Sequence, residues 1–273
     1  MIMRTNFKMF FWIILASLFL CSCGDMTEEL HLEKDGSGKW KYHMDLSNTI
    51  QMMGMMGGMM GDSLDVNPDD LWNELGADKI DTIMDLTSGM TAEQLSKLDN
   101  PEYLDNIELR MQGDKKNETL FLNMAFDFDS FEHLDGIFKE MNKLSDEGSQ
   151  DQTAMLSQMS NMFTGGNVSE IYSFDKKKFI KKAVDNSEMD MGNLLGDMGE
   201  EGDEMAGMME MFFAGNKVTT IYHFPFKVTS VSNDEAEIDE NTVTIERDFK
   251  EYLEKGNNEE VIVKFKKKFL GIF

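Results

Sequence analysis

The sequence predicts an α+β fold: an antiparallel sheet built from hairpins, with helices inserted between them, some of these flexible and rich in methionine. Three observations predict it. Apolar and polar residues alternate with period two in paired runs at 26–46 and 107–128, each pair broken by a polar turn. Between such runs apolar residues recur at helical spacing, as at Phe131, Leu134, Phe138 and Met141. The chain also carries 26 methionines, many set among glycines at helical spacing. Hairpins connect locally and need no crossover, so the sheet is expected to be antiparallel.

The first stretch reads as an export signal. Arg4 and Lys8 precede twelve residues, Met9 to Leu20, in which Ser17 is the only polar side chain. That run is shorter than the roughly 20 apolar residues needed to span a bilayer, and it fits the apolar region of a secretory signal. Leu20-Cys21-Ser22-Cys23 resembles a bacterial lipobox, with a branched apolar residue three places before Cys23 and a small residue just before it. The resemblance implies cleavage after Ser22 and lipidation of Cys23. Cys21 does not qualify, because bulky Leu20 precedes it. Residues 1–22 are then a signal peptide and 23–265 an envelope domain, with mobile segments near 47–67, 145–167 and 188–215. A basic and apolar tail, 266–273, follows. Gly24 lacks the aspartate that holds many lipoproteins at the inner membrane, which points to the outer membrane of a Gram-negative bacterium. Asp25, Glu28 and Glu29 resemble the surface-export signals of some Bacteroidetes.

Composition narrows the function. The whole chain has a formal charge of −25; removing residues 1–22 takes Arg4 and Lys8 and no acid, leaving 24 basic against 51 acidic residues, or −27. Such a surface repels nucleic acid and anionic membranes, so no nucleic-acid partner is expected. Both cysteines belong to the lipobox, which leaves the mature chain no disulfide, thiol nucleophile or cysteine metal ligand. Only 3 prolines and 41% hydrophobic residues describe a globular body rather than a disordered stalk.

In order, Met26–Lys34 and Lys39–Leu46 form the clearest hairpin, across Asp35-Gly36-Ser37-Gly38. Placing Leu30 and Leu32 on the same face as Trp40, Tyr42 and Met44 requires an odd loop, read as three residues with a left-handed glycine. Ser47 is placed as the cap of a weak helix bearing Met52, Met55, Met56, Met59 and Met60, whose interior glycines each cost about 1 kcal/mol. Asn67-Pro68-Asp69-Asp70 starts a helix through Leu71, Trp72 and Leu75 toward Ile80, Ile83 and Met84, divided at Gly76. Thr91-Ala92-Glu93-Gln94 opens a short helix that ends before Pro101. Ile107 to Met111 and Leu120 to Phe128 make a second hairpin, and Asp129 caps the amphipathic helix that follows. Val168–Phe174 and Phe179–Val184 pair across a lysine turn. A second methionine stripe, Met205, Met208 and Met209 with Phe212, lies in 188–215. Strands return at 217–224, 228–232, 242–247 and 260–265, with a helical turn near Phe249 to Leu253.

Two parts of this layout resemble the LppM-type family of bacterial lipoproteins and membrane-anchored proteins. One is the first hairpin, with Asp35-Gly36-Ser37-Gly38 at its turn and Asp45-Leu46-Ser47 at its exit. The other is Tyr222-His223-Phe224-Pro225-Phe226-Lys227-Val228 followed by Asn241-Thr242-Val243-Thr244-Ile245. Phe226 and Ile245 stand where the family tends to have glycine and tryptophan, and residues 47–215 are not covered. The resemblance implies an α+β envelope domain with a lipid-related role and carries over no catalytic residue.

No motif points to an enzyme. His31, His43, His133 and His223 are scattered in sequence, with the first two on the polar face of the hairpin. A nucleophile elbow, a phosphate-cradling glycine loop and a His-Glu-x-x-His helix are all missing. Asp127 to Gly136 begins like a calcium loop, but Phe131 and Glu132 fill positions that need a ligand oxygen and a glycine. No metal site and no cofactor is assigned. The methionines read first as adaptable apolar faces. Met52, Met55, Met56, Met59, Met60, Met205, Met208, Met209 and Phe212 are the candidates for a groove that takes a lipid, another apolar ligand or an envelope partner. The alternative is Cu(I) handling by thioethers at Met-x-x-Met spacing. The lysine runs at 176–182 and 264–268 read as solvated strand edges.

Overall fold

The computed structural model describes residues 25–48, 50–51, 72–73, 76–87, 91–146, 171–183, 215–249, 251–252 and 259–266. Strands β1 (Met26–Leu32) and β2 (Gly38–Asp45) form the first hairpin, with Leu30 opposite Trp40 and Glu28 opposite Tyr42. Glu33 N–H donates to Ser37 O at 2.8 Å and Gly36 N–H to Glu33 O at 3.2 Å, with φ +92° at Gly36. The loop is therefore the odd one, Lys34 to Gly36, that the alternation demands. Gly38 is fixed by crowding: a Cβ there would lie 2.1 Å from His31 O and 2.7 Å from Phe128 Cζ.

Strand β3 (Lys79–Met84) and the single turn α1 (Ala92–Leu95) precede a 3-10 segment, Pro101–Asn106. Strands β4 (Glu108–Asp114) and β5 (Thr119–Phe128) make the second hairpin, with Met111 opposite Leu122 and Leu109 opposite Met124. Its turn is closed by the Asp114 carboxylate, which accepts from the Lys116 and Asn117 N–H groups. Helix α2 (Phe131–Asp146) follows, and β6 (Tyr172–Phe174) and β7 (Lys178–Lys181) form a third hairpin. The chain ends in β8 (Lys217–His223), β9 (Val228–Val231), β10 (Glu237–Asp239), β11 (Thr242–Asp248) and β12 (Val261–Phe265).

These strands assemble into an eight-stranded sheet, β10-β11-β8-β1-β2-β5-β4-β3, and a four-stranded sheet, β6-β7-β12-β9. One face of the large sheet is covered and the other is polar, as antiparallel sheets permit. Over β1 and β8 the cover is the small sheet, whose Phe179 ring lies 5.1 Å from Tyr222 and 5.2 Å from Phe224. Over β2 and β5 it is α2, whose Phe138 meets Trp40 edge-on at 5.3 Å and Phe126 at 5.7 Å. Ile50 and Trp72 bury a smaller patch with Leu120.

This architecture corrects the α+β expectation. The described chain is mostly β, in two sheets, and α2 is the one α-helix among the described residues longer than a turn. The spacing of Ile80, Ile83 and Met84 misled because it does not mark a buried face: Ile83 is 62% exposed on β3, a sheet edge. There Arg110 holds Asp81 through bonds of 2.6 and 2.8 Å and Lys79 holds Asp114 at 3.1 Å. The sheet is also not purely antiparallel, because β1 and β8 pair in parallel. They are remote in sequence, and no local turn announces their pairing. Ser130, not Asp129, caps α2, its hydroxyl accepting the His133 N–H at 3.2 Å. Ser47 Oγ is occupied by Leu120 N–H at 3.2 Å.

Candidate functional site

The end of the large sheet where β1 begins gathers several parts of the chain. Asp25 accepts the Asp45 N–H through its carbonyl and the Lys217 N–H through its carboxylate, both at 3.1 Å. Asn48 donates to Asn216 at 3.4 Å. The described chain departs at Gln51, resumes at Trp72, and resumes again at Gly215, all at this end. Cys23 and the groove candidates Met52, Met55, Met56, Met59, Met60, Met205, Met208, Met209 and Phe212 lie outside the described residues. The opposite end carries the Lys34–Gly36 loop and a cluster of Phe174, Phe226 and Phe265, after which Lys266 N–H bonds Lys227 O at 2.8 Å. Lys266 therefore lies at the end of the sheet away from Asp25.

On the open face, parallel pairing sets His31 beside His223, and the rings stack with centroids 4.0 Å apart and planes 11° from parallel. Glu29, two residues along the same face, meets His31 Nε2 at 2.9 Å and Lys41 Nζ at 3.2 Å. His223 Nδ1 meets Thr242 Oγ1 at 3.2 Å. Partial burial pushes the Glu29 carboxyl up, but its bonds to His31 and Lys41 outweigh that, and the net displacement is downward. Burial, helped by His31, lowers the His223 imidazole and favours its neutral form. Beside this group is a shallow depression of about 270 Å³ in which His43 Nδ1 contacts Asn123 Oδ1 at 2.7 Å.

The covered face holds a second polar group. Glu28 shares a face with Met26, Leu30 and Leu32, is 7% exposed, and accepts the Trp40 indole N–H at 3.0 Å. Burial raises its carboxyl, with Lys181, Trp40 and Arg247 pulling the other way. Lys181 is 3% exposed, and burial lowers its ammonium to about 8 against the attraction of Glu28. The 176–182 run is thus not uniformly a solvated edge: β7 lies between β6 and β12, and Lys181 shares the inward parity of Phe179. Glu28 sits inside β1, the strand that the alternation of 26–34 predicts.

Sequence reading left His31 and His223 apart and took Glu28 only as part of an acidic run that resembles an export signal. Each had a signal in strand parity, since Glu28 is in phase with Leu30 and Leu32, and His223 is out of phase with buried Tyr222. The parallel partner of β1 was the missing information. The chain matches no family model, and searches of curated proteins and of solved structures return no match.

Proposed function

We propose that the chain is a lipid-anchored, non-catalytic cell-envelope protein, held at the outer membrane through Cys23, that binds an apolar ligand, a lipid or an envelope partner. The supporting observation is the convergence at Asp25. Two residues of chain, at most about 7 Å, separate Asp25 from Cys23. At the same end the described chain leaves toward Met52 to Met60 and resumes after Met205 to Phe212. An acylated Cys23 would set Gln51 and Gly215, the described residues nearest in sequence to the two methionine-rich segments, on the side of the domain that faces the bilayer. Methionine suits such a place, because its unbranched, polarizable side chain adapts to irregular apolar partners. With a mature charge of −27, attraction to anionic headgroups cannot drive the contact, so apolar burial must.

The Met-x-x-Met spacing within 52–60 favours a second reading, Cu(I) handling by thioethers. Native mass spectrometry of the full chain released from detergent, with parallel metal analysis, separates the two. A co-purifying lipid mass that survives leucine at the five methionines of 52–60 supports the first reading. Stoichiometric copper that those replacements abolish supports the second. Absence of both overturns the ligand and leaves an envelope partner, to be sought by crosslinking in intact cells.

A further inference from the structure

We propose that Glu29, His31 and His223 form a binding site for a divalent transition-metal ion of the zinc type on the open face of the large sheet. The sheet itself brings the donors together. His31 and His223 are register partners of β1 and β8, and Glu29 precedes His31 by one full strand period. One ligand atom from each residue, two imidazole nitrogens and a carboxylate oxygen, can be chosen so that all lie within 4.8 Å of one another. Around a tetrahedral zinc ion, with bonds of about 2.0–2.1 Å, such atoms stand about 3.3 Å apart. Side-chain rotation has to close the remaining difference, at most about 1.5 Å.

The surroundings favour the same reading. The stack holds the two rings with centroids 4.0 Å apart, and each ring has to turn about its side-chain torsions for the in-plane lone pairs to converge on one ion. Thr242 Oγ1 engages His223 Nδ1 at 3.2 Å, which leaves Nε2 for an ion and fixes the ring as an outer partner of a metal ligand does. His31 already turns Nε2 toward the Glu29 carboxylate at 2.9 Å. The side chains of His31 and Glu29 are 35% and 29% exposed, so an ion can reach them from solvent. Lys41 Nζ, 3.2 Å from Glu29 Oε2, engages this carboxylate and would compete with a cation for it. Two imidazoles and a carboxylate suit zinc, nickel or Cu(II) rather than Cu(I), so this site is distinct in chemistry from the thioethers of the methionine segments. It stands whether or not those segments bind a lipid.

The test uses the full chain in detergent, stripped with chelator and titrated with Zn²⁺ by calorimetry and with Co²⁺ by visible absorption. One Zn²⁺ per chain is expected, with Co²⁺ giving ligand-field bands of a low-coordinate nitrogen and oxygen site. His31→Ala and His223→Ala should each weaken Zn²⁺ at least tenfold, and Glu29→Gln should do the same. Lys41→Gln should tighten it several-fold by freeing the carboxylate, whereas His133→Ala, on α2, should leave it unchanged. All five changes lie at partly exposed side chains, and circular dichroism verifies that each variant is folded. No saturable Zn²⁺ binding, or binding that persists undiminished in both the His31 and His223 variants, overturns the site. Loss on Lys41→Gln equal to that of the histidine variants removes Glu29 as a ligand and overturns it equally.

Discussion

Replacing Lys181 with methionine should change how stability depends on pH. In the folded chain burial lowers the Lys181 ammonium from 10.5 to about 8. Between those values the unfolded chain binds more protons than the folded one, so stability rises with pH. Below about 8 the full penalty of the buried charge is present, and above 10.5 it is gone. At about 1.4 kcal/mol for each pH unit, the whole displacement is worth about 3 kcal/mol. Methionine fills the same space and does not titrate. Urea unfolding of wild type and Lys181→Met at intervals from pH 7 to 10.5 should therefore show wild type gaining about 3 kcal/mol on the variant across that window. Differences between the two chains cancel the tyrosines and other lysines that titrate in the same range. The variant need not be the more stable at pH 7, because Glu28 then loses its cation. A difference that stays flat from pH 7 to 10.5 refutes the buried placement and returns Lys181 to the solvated edge.

Other expectations follow from single contacts. Gly38→Ala should destabilise the chain by about 3 kcal/mol or prevent folding, because the new methyl would press on His31 O, which is backbone and cannot yield; thermal unfolding reads this. Gly113→Ala should cost less, since the nearest atom, Trp72 Cη2 at 2.9 Å, belongs to a side chain. Ser130→Ala should cost about 1 kcal/mol through loss of the α2 cap, measurable as a lower urea midpoint. Cys23→Ser should abolish incorporation of labelled palmitate and leave the chain unprocessed or soluble. Label that persists would assign the anchor to Cys21.

Much of the sheet was legible because its hairpins are local. The runs around Asp35-Gly36-Ser37-Gly38 and 107–128 alternate cleanly, and every alternating apolar position from Leu120 to Phe128 is buried. Local pattern failed where a segment's burial is set by remote partners or where it has little burial at all. β3 buries no residue fully, so its apolar spacing carried no information about its state. β10 is exposed throughout its length and left no periodic mark. The pairing of β1 with β8 joins residues about 190 apart along the chain, and with it came the two features that no single segment displays. One is the His31–His223 stack; the other is the convergence of Asp25, Asn48 and Asn216 at one end. The Glu28 and Lys181 group was half visible, as polar residues in phase with apolar neighbours, but its meaning depended on the small sheet that closes over it.

The most direct test of a membrane-facing, apolar-binding end is site-specific photocrosslinking in intact cells, with a photoreactive residue placed at Asn48, at Gly215 or at Asp35. Asn48 and Gly215 flank the departures of the methionine segments, and Asp35 sits in the hairpin loop at the far end. The account predicts adducts with lipid, or with one discrete envelope partner, from Asn48 and Gly215 and none from Asp35. Adducts from Asp35 alone, or equal labelling from both ends, would contradict it.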